Sequence, residues 1–364
     1  MTNIPYSKPS ICGKEADFVT DAIQSTWLSG GKYLGQLEKW FSDKLQSKHT
    51  LLVSNGTTAL QLAYMGLGIG VGDEVIVPGF AFMAAGNLLN HIGATPVFAD
   101  VDPHTWCMGV IDIEKKITDK TKAIVVIHTY GNVCDMDDIM TLANSKGIPV
   151  IEDGAEALFS RYNGKYCGTI GTIGTFSMHA TKTITTGEGG FVLCDDDTVS
   201  ELMSTIRSHG LPNRGSYNHV LAGHNFRMTN LQAAFGCAQV ENADWVITER
   251  QRVYDTYKKL LTNQEGITLQ AMTTGVDPVL WVVAIKLDKN NFPQGRDGVV
   301  GQMNTDGIET RPGFVPSSRL GYFKSHSVPN SEVLGETVMS LPTYPFLKDD
   351  EISLICERLI SVRS

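Results

Sequence analysis

Between Leu51 and Asp153 short apolar runs alternate with helical stretches, and this alternation restricts the fold more than any other feature of the chain. Leu51-Leu52-Val53, Val75-Ile76-Val77, Pro96-Val97-Phe98-Ala99, Ala123 to Ile127 and Val150-Ile151-Glu152-Asp153 read as strands. One intervening helix carries Ala59, Leu60, Ala63, Tyr64 and Leu67 on one face. Another covers about Met83 to His91, and a third runs from about Met136 to a stop at Gly147. The run Ala123 to Ile127 is continuously apolar, as in a strand covered on both faces. Strands separated by helices pair in parallel, because the crossover needs a helix-length connection. The expectation is an α/β fold, a mostly parallel sheet wrapped by helices.

With 364 residues the chain has room for two domains. Residues 1–50 read as an arm and a helix from Glu15 to Ser25, with Phe18, Val19 and Ile23 at helical spacing. A break at Ser29-Gly30-Gly31 precedes a second helix from about Gln36 to Leu45. No proline occurs between Pro212 and Pro278, and Thr229 to about Leu261 reads as one long helix leaving the first domain. A turn at Gly275-Val276-Asp277-Pro278, a strand from Leu280 to Leu287, a helix near 297–304 and a final helix from Asp350 to Ile360 make a smaller α+β unit. The boundary falls near residue 245. Residues 1–245 form the large domain with its arm, and 246–364 the small C-terminal domain.

The chemistry centres on Phe176 to Gly190, FSMHATKTITTGEGG. Lys182 stands between two β-prone runs, Ile173 to Phe176 and Phe191 to Cys194. A buried ammonium loses its hydration, and a Schiff base to an aldehyde cofactor removes that cost. Taken alone, the stretch reads equally as an exposed Gly/Thr loop. Ser54-Asn55-Gly56-Thr57 lies where a strand gives way to a helix, and such N-termini bind phosphate or simply carry a cap. Glu152-Asp153 ends a strand, at the edge where open α/β sheets bind ligands, and Asp153 serves there as a partner for a pyridinium nitrogen or as a turn cap. His179, three residues before Lys182, either lines the site or packs as an ordinary histidine.

Other chemistries find little support. A net charge of −9 offers no nucleic-acid surface. The seven scattered cysteines contain no CxxC pair, so neither a disulfide framework nor a zinc site is indicated. No apolar run has signal-peptide or membrane-spanning length, which points to a cytoplasmic protein without membrane or metal partners. The glycines of GLGIGVG follow a helix rather than a strand, so the dinucleotide-loop context fails. That argues against a nicotinamide-dependent oxidoreductase.

Taken together, the motifs resemble the nucleotide-sugar aminotransferases of the DegT/StrS family nearly end to end. The likeness rests on Ser54-Asn55-Gly56-Thr57, Glu152-Asp153 with Glu156, the Lys182 segment, Asn225-Phe226-Arg227-Met228-Thr229-Asn230 and Glu309-Thr310-Arg311-Pro312. It implies a fold-type-I scaffold, a large domain plus a smaller α+β domain, holding pyridoxal 5'-phosphate, with the pyridoxamine form as intermediate. Lys182 is then the Schiff-base lysine and Asp153 the partner of the ring nitrogen. Glu156 lies near the phenolic oxygen, where much of the family has Gln. Gly56, Thr57 and Ser177 bind the phosphate, Phe82 stacks on the ring, and Asn225 reaches the phosphate of the neighbouring subunit. Trp27, His179, Arg311 and Phe314 face the sugar.

The resemblance also implies a homodimer with shared active sites that moves an amino group from L-glutamate to a nucleotide-linked keto sugar, most closely a 4-keto-6-deoxyhexose. The product serves surface-polysaccharide, O-antigen or other amino-sugar synthesis. KTITTGEGG, HTYGNVCDMD and ETRP bring the chain nearest to members using a GDP-linked sugar. Those members usually show an aromatic residue and Gly-Asn before the lysine and a histidine after ETRP. Here Met178-His179-Ala180-Thr181 and Phe314-Val315-Pro316-Ser317-Ser318-Arg319 stand instead, so UDP- and dTDP-linked sugars aminated at the 3- or 4-position stay open. A same-fold sugar dehydratase carries His where Lys182 stands, and a non-enzymatic sensor is expected to carry an added DNA-binding segment, which is not found.

Overall fold

The structure is a computed structural model that describes residues 3–11, 13–212, 215 and 217–363. Cys12, among the cysteines counted above, lies outside the described residues. The chain opens with helices α1 (Glu15–Gln24) and α2 (Lys32–Leu45). It then alternates through β1 (His49–Val53), α3 (Gly56–Gly66), β2 (Glu74–Pro78), α4 (Ala84–His91), β3 (Thr95–Ala99), the short α5 (Val110–Glu114), β4 (Thr121–Ile127), α6 (Met136–Lys146) and β5 (Val150–Asp153). A small hairpin, β6 (Arg161–Tyr162) and β7 (Lys165–Tyr166), precedes β8 (Ile173–Ser177) and β9 (Gly190–Cys194). Helices α7 (Asp197–Arg207) and α8 (Asn230–Glu241) close this part.

The main sheet has seven strands in the order β1-β9-β8-β5-β4-β2-β3. All run parallel except β9, which is antiparallel to both its neighbours. Its apolar residues divide by the two-residue period of a strand. Ile124 and Val126 of β4 enter a core with α2, α6 and α8, whereas Ala123, Val125 and Ile127 enter a second core with α3, α4 and α7. The parallel strands therefore end on one edge. Val53, Pro78, Ile127, Asp153 and Ser177 come to that edge together, and the reversed β9 makes the β8–β9 loop cross it.

The C-terminal part of the chain, called the second unit below, starts with α9 (Ala243–Leu261). Strand β10 (Ile267–Leu269) is followed by β11 (Val276–Asp277), which joins the β6–β7 hairpin. Then come β12 (Val283–Leu287), α10 (Gly295–Thr305), β13 (Arg311–Pro312), α11 (Pro329–Thr337), β14 (Val338–Leu341) and α12 (Asp349–Ser361). The sheet β10-β12-β14-β13 is antiparallel and packs on α9, α10 and α12.

Several elements differ from the sequence reading. The single helix expected from Thr229 to Leu261 is two, broken at Asn242, a poor helix-interior residue whose N–H turns back to Gln239 O at 3.1 Å. Helix α2 starts a turn earlier than expected because the buried Asn230 side chain accepts the Tyr33 N–H at 3.1 Å. In α1, Ile23 is exposed, while Ala22 is buried in the core shared with α8. Strand β12 begins at Val283 rather than Leu280, because the Leu280 and Trp281 carbonyls accept hydrogen bonds from Arg250 of α9. The arm, grouped above with the first domain, pairs at Ile4 with Ile308 of the second unit.

Candidate active site

Most of the β8–β9 loop is packed, with Gly187 and Glu188 exposed. Met178 and Ile184 are fully buried, and Thr183, Thr185 and Thr186 are buried with them. Met178 closes the base of the loop: its N–H donates to Gly189 O at 2.7 Å and its carbonyl accepts the Thr186 N–H at 2.9 Å. The Lys182 N–H donates to His179 O at 2.9 Å in a tight turn. This presents Lys182 to a cavity of about 560 Å³, within the usual range for small-molecule sites. Desolvation lowers the lysine's pKa, opposed by the charges of Glu156 and Asp153 and reinforced by Arg250.

Asp153 reaches the same cavity from the end of β5. Its Oδ1 accepts the Ala155 N–H at 3.0 Å. Burial raises its pKa, against the pull of that amide, Lys182 and His128. Glu156, one turn further on, is pushed up to about 7, mainly by burial; the Tyr130 N–H donates to its Oε2 at 2.7 Å and acts in the opposite sense. Behind them Glu152 is fully buried and accepts from the amides of Gly168, Ile170 and Gly171 at 2.8, 2.7 and 2.5 Å. His128 Nε2 lies 2.9 Å from its carboxylate, and His128 Nδ1 accepts the Cys134 N–H. With Nδ1 accepting, Nε2 is the nitrogen that donates to the carboxylate. Glu152 thereby ties the Gly168–Gly171 loop to the strand that carries Asp153.

The third wall is the N-terminus of α3. Asn55 caps it, its Oδ1 accepting the Thr58 N–H at 2.8 Å while Thr58 Oγ1 accepts the Asn55 N–H at 3.1 Å. Gly56 and Thr57, in the first turn, line the cavity with Ser177 from the end of β8. A Cβ at Gly56 would stand 2.8 Å from Ser177 Cβ, so only glycine lets the helix end approach this strand. Amides of a first helical turn have no partner within the helix and favour an anion.

Of the residues singled out in the sequence, Gly56, Thr57, Phe82, Asp153, Glu156, Ser177, His179, Lys182, Arg311 and Phe314 line this one cavity. Phe82 is 64% exposed at its mouth, with its ring 6.5 Å from that of Phe314. Arg311 lies 4.9 Å over the Tyr6 ring and pairs with Glu309 at 2.7 Å. His179 Nδ1 is 3.1 Å from Thr181 Oγ1. Trp27 and Asn225 do not line the cavity. Trp27, 67% exposed, borders a separate groove of about 300 Å³ with Arg207 and Arg227. The exposed Asn225 accepts from Arg227 Nε at 3.1 Å.

Sequence reasoning missed Tyr6, Tyr130, Trp281 and Ser340, which also line the cavity. The Tyr130 ring is stacked on Phe314, with centroids 5.0 Å apart. Trp281 covers Lys182, its ring centroid 3.5 Å from Nζ. The one local signal was Tyr130-Gly131 in HTYGNV, a turn in which Tyr130 has a positive φ of 60°. The others arrive from distant parts of the chain.

These donors suit pyridoxal phosphate. The cavity offers an amine for the aldehyde, a buried carboxylate with no ion-pair partner among the described residues for the ring nitrogen, and a glycine-opened helix end for the phosphate. Among the described residues no group of side chains could hold a metal ion, and no helix is long and apolar enough to cross a membrane.

Comparison with known proteins gives a consistent result. Residues 9–360 match the model of the DegT/DnrJ/EryC1/StrS aminotransferase family. The chain is 41% identical over 362 residues to a GDP-perosamine synthase of Escherichia coli O157:H7, covering 99% of this chain and 98% of that one. It is 38% identical to a GDP-perosamine synthase of Vibrio cholerae, covering 97% of each. The fold superposes on the PLP form of Spr1654 of Streptococcus pneumoniae, described as a putative sugar aminotransferase, with a TM-score of 0.94, at 27% identity over 99% of this chain and 98% of that one.

Proposed function

The chain belongs to the DegT/DnrJ/EryC1/StrS aminotransferase family, and from that premise we propose that it aminates a GDP-linked 4-keto-6-deoxysugar, taking the amino group from L-glutamate. It is a pyridoxal-phosphate-dependent transaminase. The observation that carries the reading is the meeting of Lys182, Asp153 and the α3 N-terminus in one cavity. The GDP-linked 4-keto sugar is supported by the perosamine synthases at 36–41% identity along nearly the whole chain.

Bound pyridoxal phosphate supplies an aldehyde that condenses with amines and a ring that accepts the electron pair left on the donor carbon. The chain supplies the rest. Gly56, Thr57 and Ser177 take the phosphate at the positive end of α3. Asp153, already buried, holds a proton on the ring nitrogen. Lys182 would hold the cofactor aldehyde through its ε-amine. Burial lowers its pKa and so favours the neutral amine, which takes the proton from the glutamate α-carbon and later places one on the sugar carbon. Glu156 would share a proton with the phenolic oxygen. Phe82 at the mouth would face the ring, and His179, Arg311 and Phe314 would meet the sugar nucleotide. In balance, L-glutamate and the keto sugar become 2-oxoglutarate and the amino sugar, which serves a surface polysaccharide.

We place Trp27 and Asn225 in the site of a second copy, so the working enzyme is a homodimer whose two sites are related by its axis. Both residues are exposed and outside their own chain's cavity. The cytoplasm suits the six described cysteines, all buried and free. A lysine at position 182 argues against the dehydratase, which needs histidine there. The direct test incubates the pyridoxamine form with GDP-, UDP- and dTDP-linked keto sugars. A GDP-linked 4-keto-6-deoxysugar should restore the aldehyde-form absorbance fastest. Faster recovery with a UDP or dTDP sugar would reassign the substrate, and no recovery with any would overturn the reading.

A further inference from the structure

We infer that Trp281 is a positioning residue for the Lys182 amine: its indole face holds the ε-ammonium whenever the lysine is free of the cofactor, and its ring N–H fixes the turn that carries the lysine. The inference rests on the reading of Lys182 given above. Trp281 lies 99 positions from Lys182 (281 − 182) and belongs to the second unit, yet two independent contacts join them. Lys182 Nζ stands 3.5 Å from the ring centroid, well within cation–π range. Trp281 Nε1 donates to Thr181 O at 2.9 Å, one residue before the lysine.

The indole is itself held from several sides. Its backbone N–H donates to Tyr130 O at 3.0 Å, and its ring lies 6.5 Å from the Tyr130 ring at an interplanar angle of 25°. Arg250 of α9, only 3% exposed, donates from one guanidinium nitrogen to Leu280 O at 3.1 Å and Trp281 O at 2.9 Å. Arg250 has no ion-pair partner among the described residues, and its Nε is buried without a partner. Such burial of a guanidinium is costly, and its hydrogen bonds here go to the backbone that carries Trp281.

Lys182 must be free for part of each turnover, both to move protons and to let the amino donor in. The charged and titratable groups around it are Asp153 and Glu156 after β5, His179 and Glu188 on its own loop, Tyr6 and Tyr130, Arg311 of β13, and Arg250 behind the Trp281 backbone. Without a fixed resting place the ammonium would be drawn toward the two carboxylates, of which Asp153 is needed at the ring nitrogen. The indole face offers an attractive position that uses neither carboxylate. It also favours the protonated amine, and so opposes burial and Arg250, which favour the neutral one.

The test measures Lys182 acylation against pH in the full-length, cofactor-stripped protein, read by peptide mass spectrometry, with Trp281 intact and as Trp281→Tyr, Trp281→Phe and Trp281→Met. Loss of the face in Trp281→Met should lower the labelling midpoint by about 0.4 to 1.5 pH units. Tyr and Phe, which retain an aromatic face, should fall in between, and this graded order keeps the test decisive if Met does not fold. An unchanged midpoint across the series overturns the inference, as does a rise, which is what water filling the space would produce. Borohydride trapping of the cofactor in the parent separates the two claims. An adduct on a lysine other than Lys182 sinks the functional reading, whereas an adduct on Lys182 with a flat labelling series sinks only the role of Trp281.

Discussion

The deep end of the cavity and its approaches are built on different terms. At the deep end the groups are placed by strand ends, a capped helix and one closed loop: Asp153 by β5, Ser177 by β8, Gly56 by α3, and Lys182 by a loop closed at Met178. These groups belong to one chain and lie in or beside its core. At the approaches Phe82, Trp27 and Asn225 are exposed, and the last two lie outside their own chain's cavity. The contrast teaches that the groups of the deep end are brought together by the fold of one chain, while Trp27 and Asn225 stand on exposed surface outside that chain's cavity. Changes at the deep end should therefore act on the chemical step, and changes at the approaches on binding.

Lys182→Ala should show the largest effect, a loss of about 10³-fold or more in turnover, because both the covalent anchor and the proton carrier go. Cofactor should still bind reversibly through the α3 end and Asp153. Wild-type transamination by this variant would break the comparison at its strongest point. Asp153→Asn keeps the shape but not the charge, and the glutamate half-reaction should slow by about 10²-fold. Stopped-flow absorbance reads that step directly, and a rate within about twofold of the parent would remove Asp153 from the mechanism.

Asn225→Ala should weaken cofactor affinity by about tenfold to a hundredfold, the worth of a hydrogen bond to a charged phosphate. It sharpens the comparison when combined with the first variant. Lys182→Ala and Asn225→Ala chains, mixed and allowed to exchange, should regain part of the activity, since a heterodimer has one undamaged site. Demonstrated exchange without recovery would place Asn225 outside any shared site. Trp27→Ala should have a smaller effect, raising KM for the nucleotide sugar by about three- to tenfold while leaving the glutamate half-reaction alone. A slowed glutamate half-reaction would move Trp27 to the chemical end.

A further expected effect is on stability rather than on activity. Burial raises the Glu156 pKa from 4.5 to about 7 in the folded chain. The folded state therefore holds this proton more tightly than the unfolded one. The stabilisation is complete below the unfolded value and is lost as pH rises through the folded one. Over the window from about 4.5 to 7 the loss amounts to at most about 3 kcal/mol. In the cofactor-stripped protein Tm should fall over this window, and Glu156→Gln should flatten the dependence. Parallel pH curves for the two proteins would contradict it.

Much of the deep end was legible in the sequence because its signals are local. A strand followed by Asn-Gly-Thr, a strand ending in Glu-Asp and a lysine before Gly-Glu-Gly-Gly each lie within a few residues, and although each alone also fits a cap, a turn or a loop, their order along the chain does not. The parallel order also followed from helix-length connections, although the reversal of β9 did not, since a strand's direction is set by which neighbour it joins. Tyr6, Trp281 and Ser340 were illegible for the opposite reason. Tyr6 arrives because Ile4 pairs with Ile308, and Trp281 because Arg250 binds the carbonyls before β12. No periodicity reports such contacts. The break at Asn242 was similarly hidden, since a helical pattern continues on both sides of it.

Borohydride reduction of the holoenzyme tests the central claim most directly, that Lys182 carries the cofactor and gives it up to glutamate. After digestion and mass spectrometry the reduced pyridoxyl group should lie on the peptide containing Lys182. Prior incubation with L-glutamate should abolish the label, because the lysine has been displaced. A label on another lysine, or one that persists undiminished after glutamate, would contradict the account.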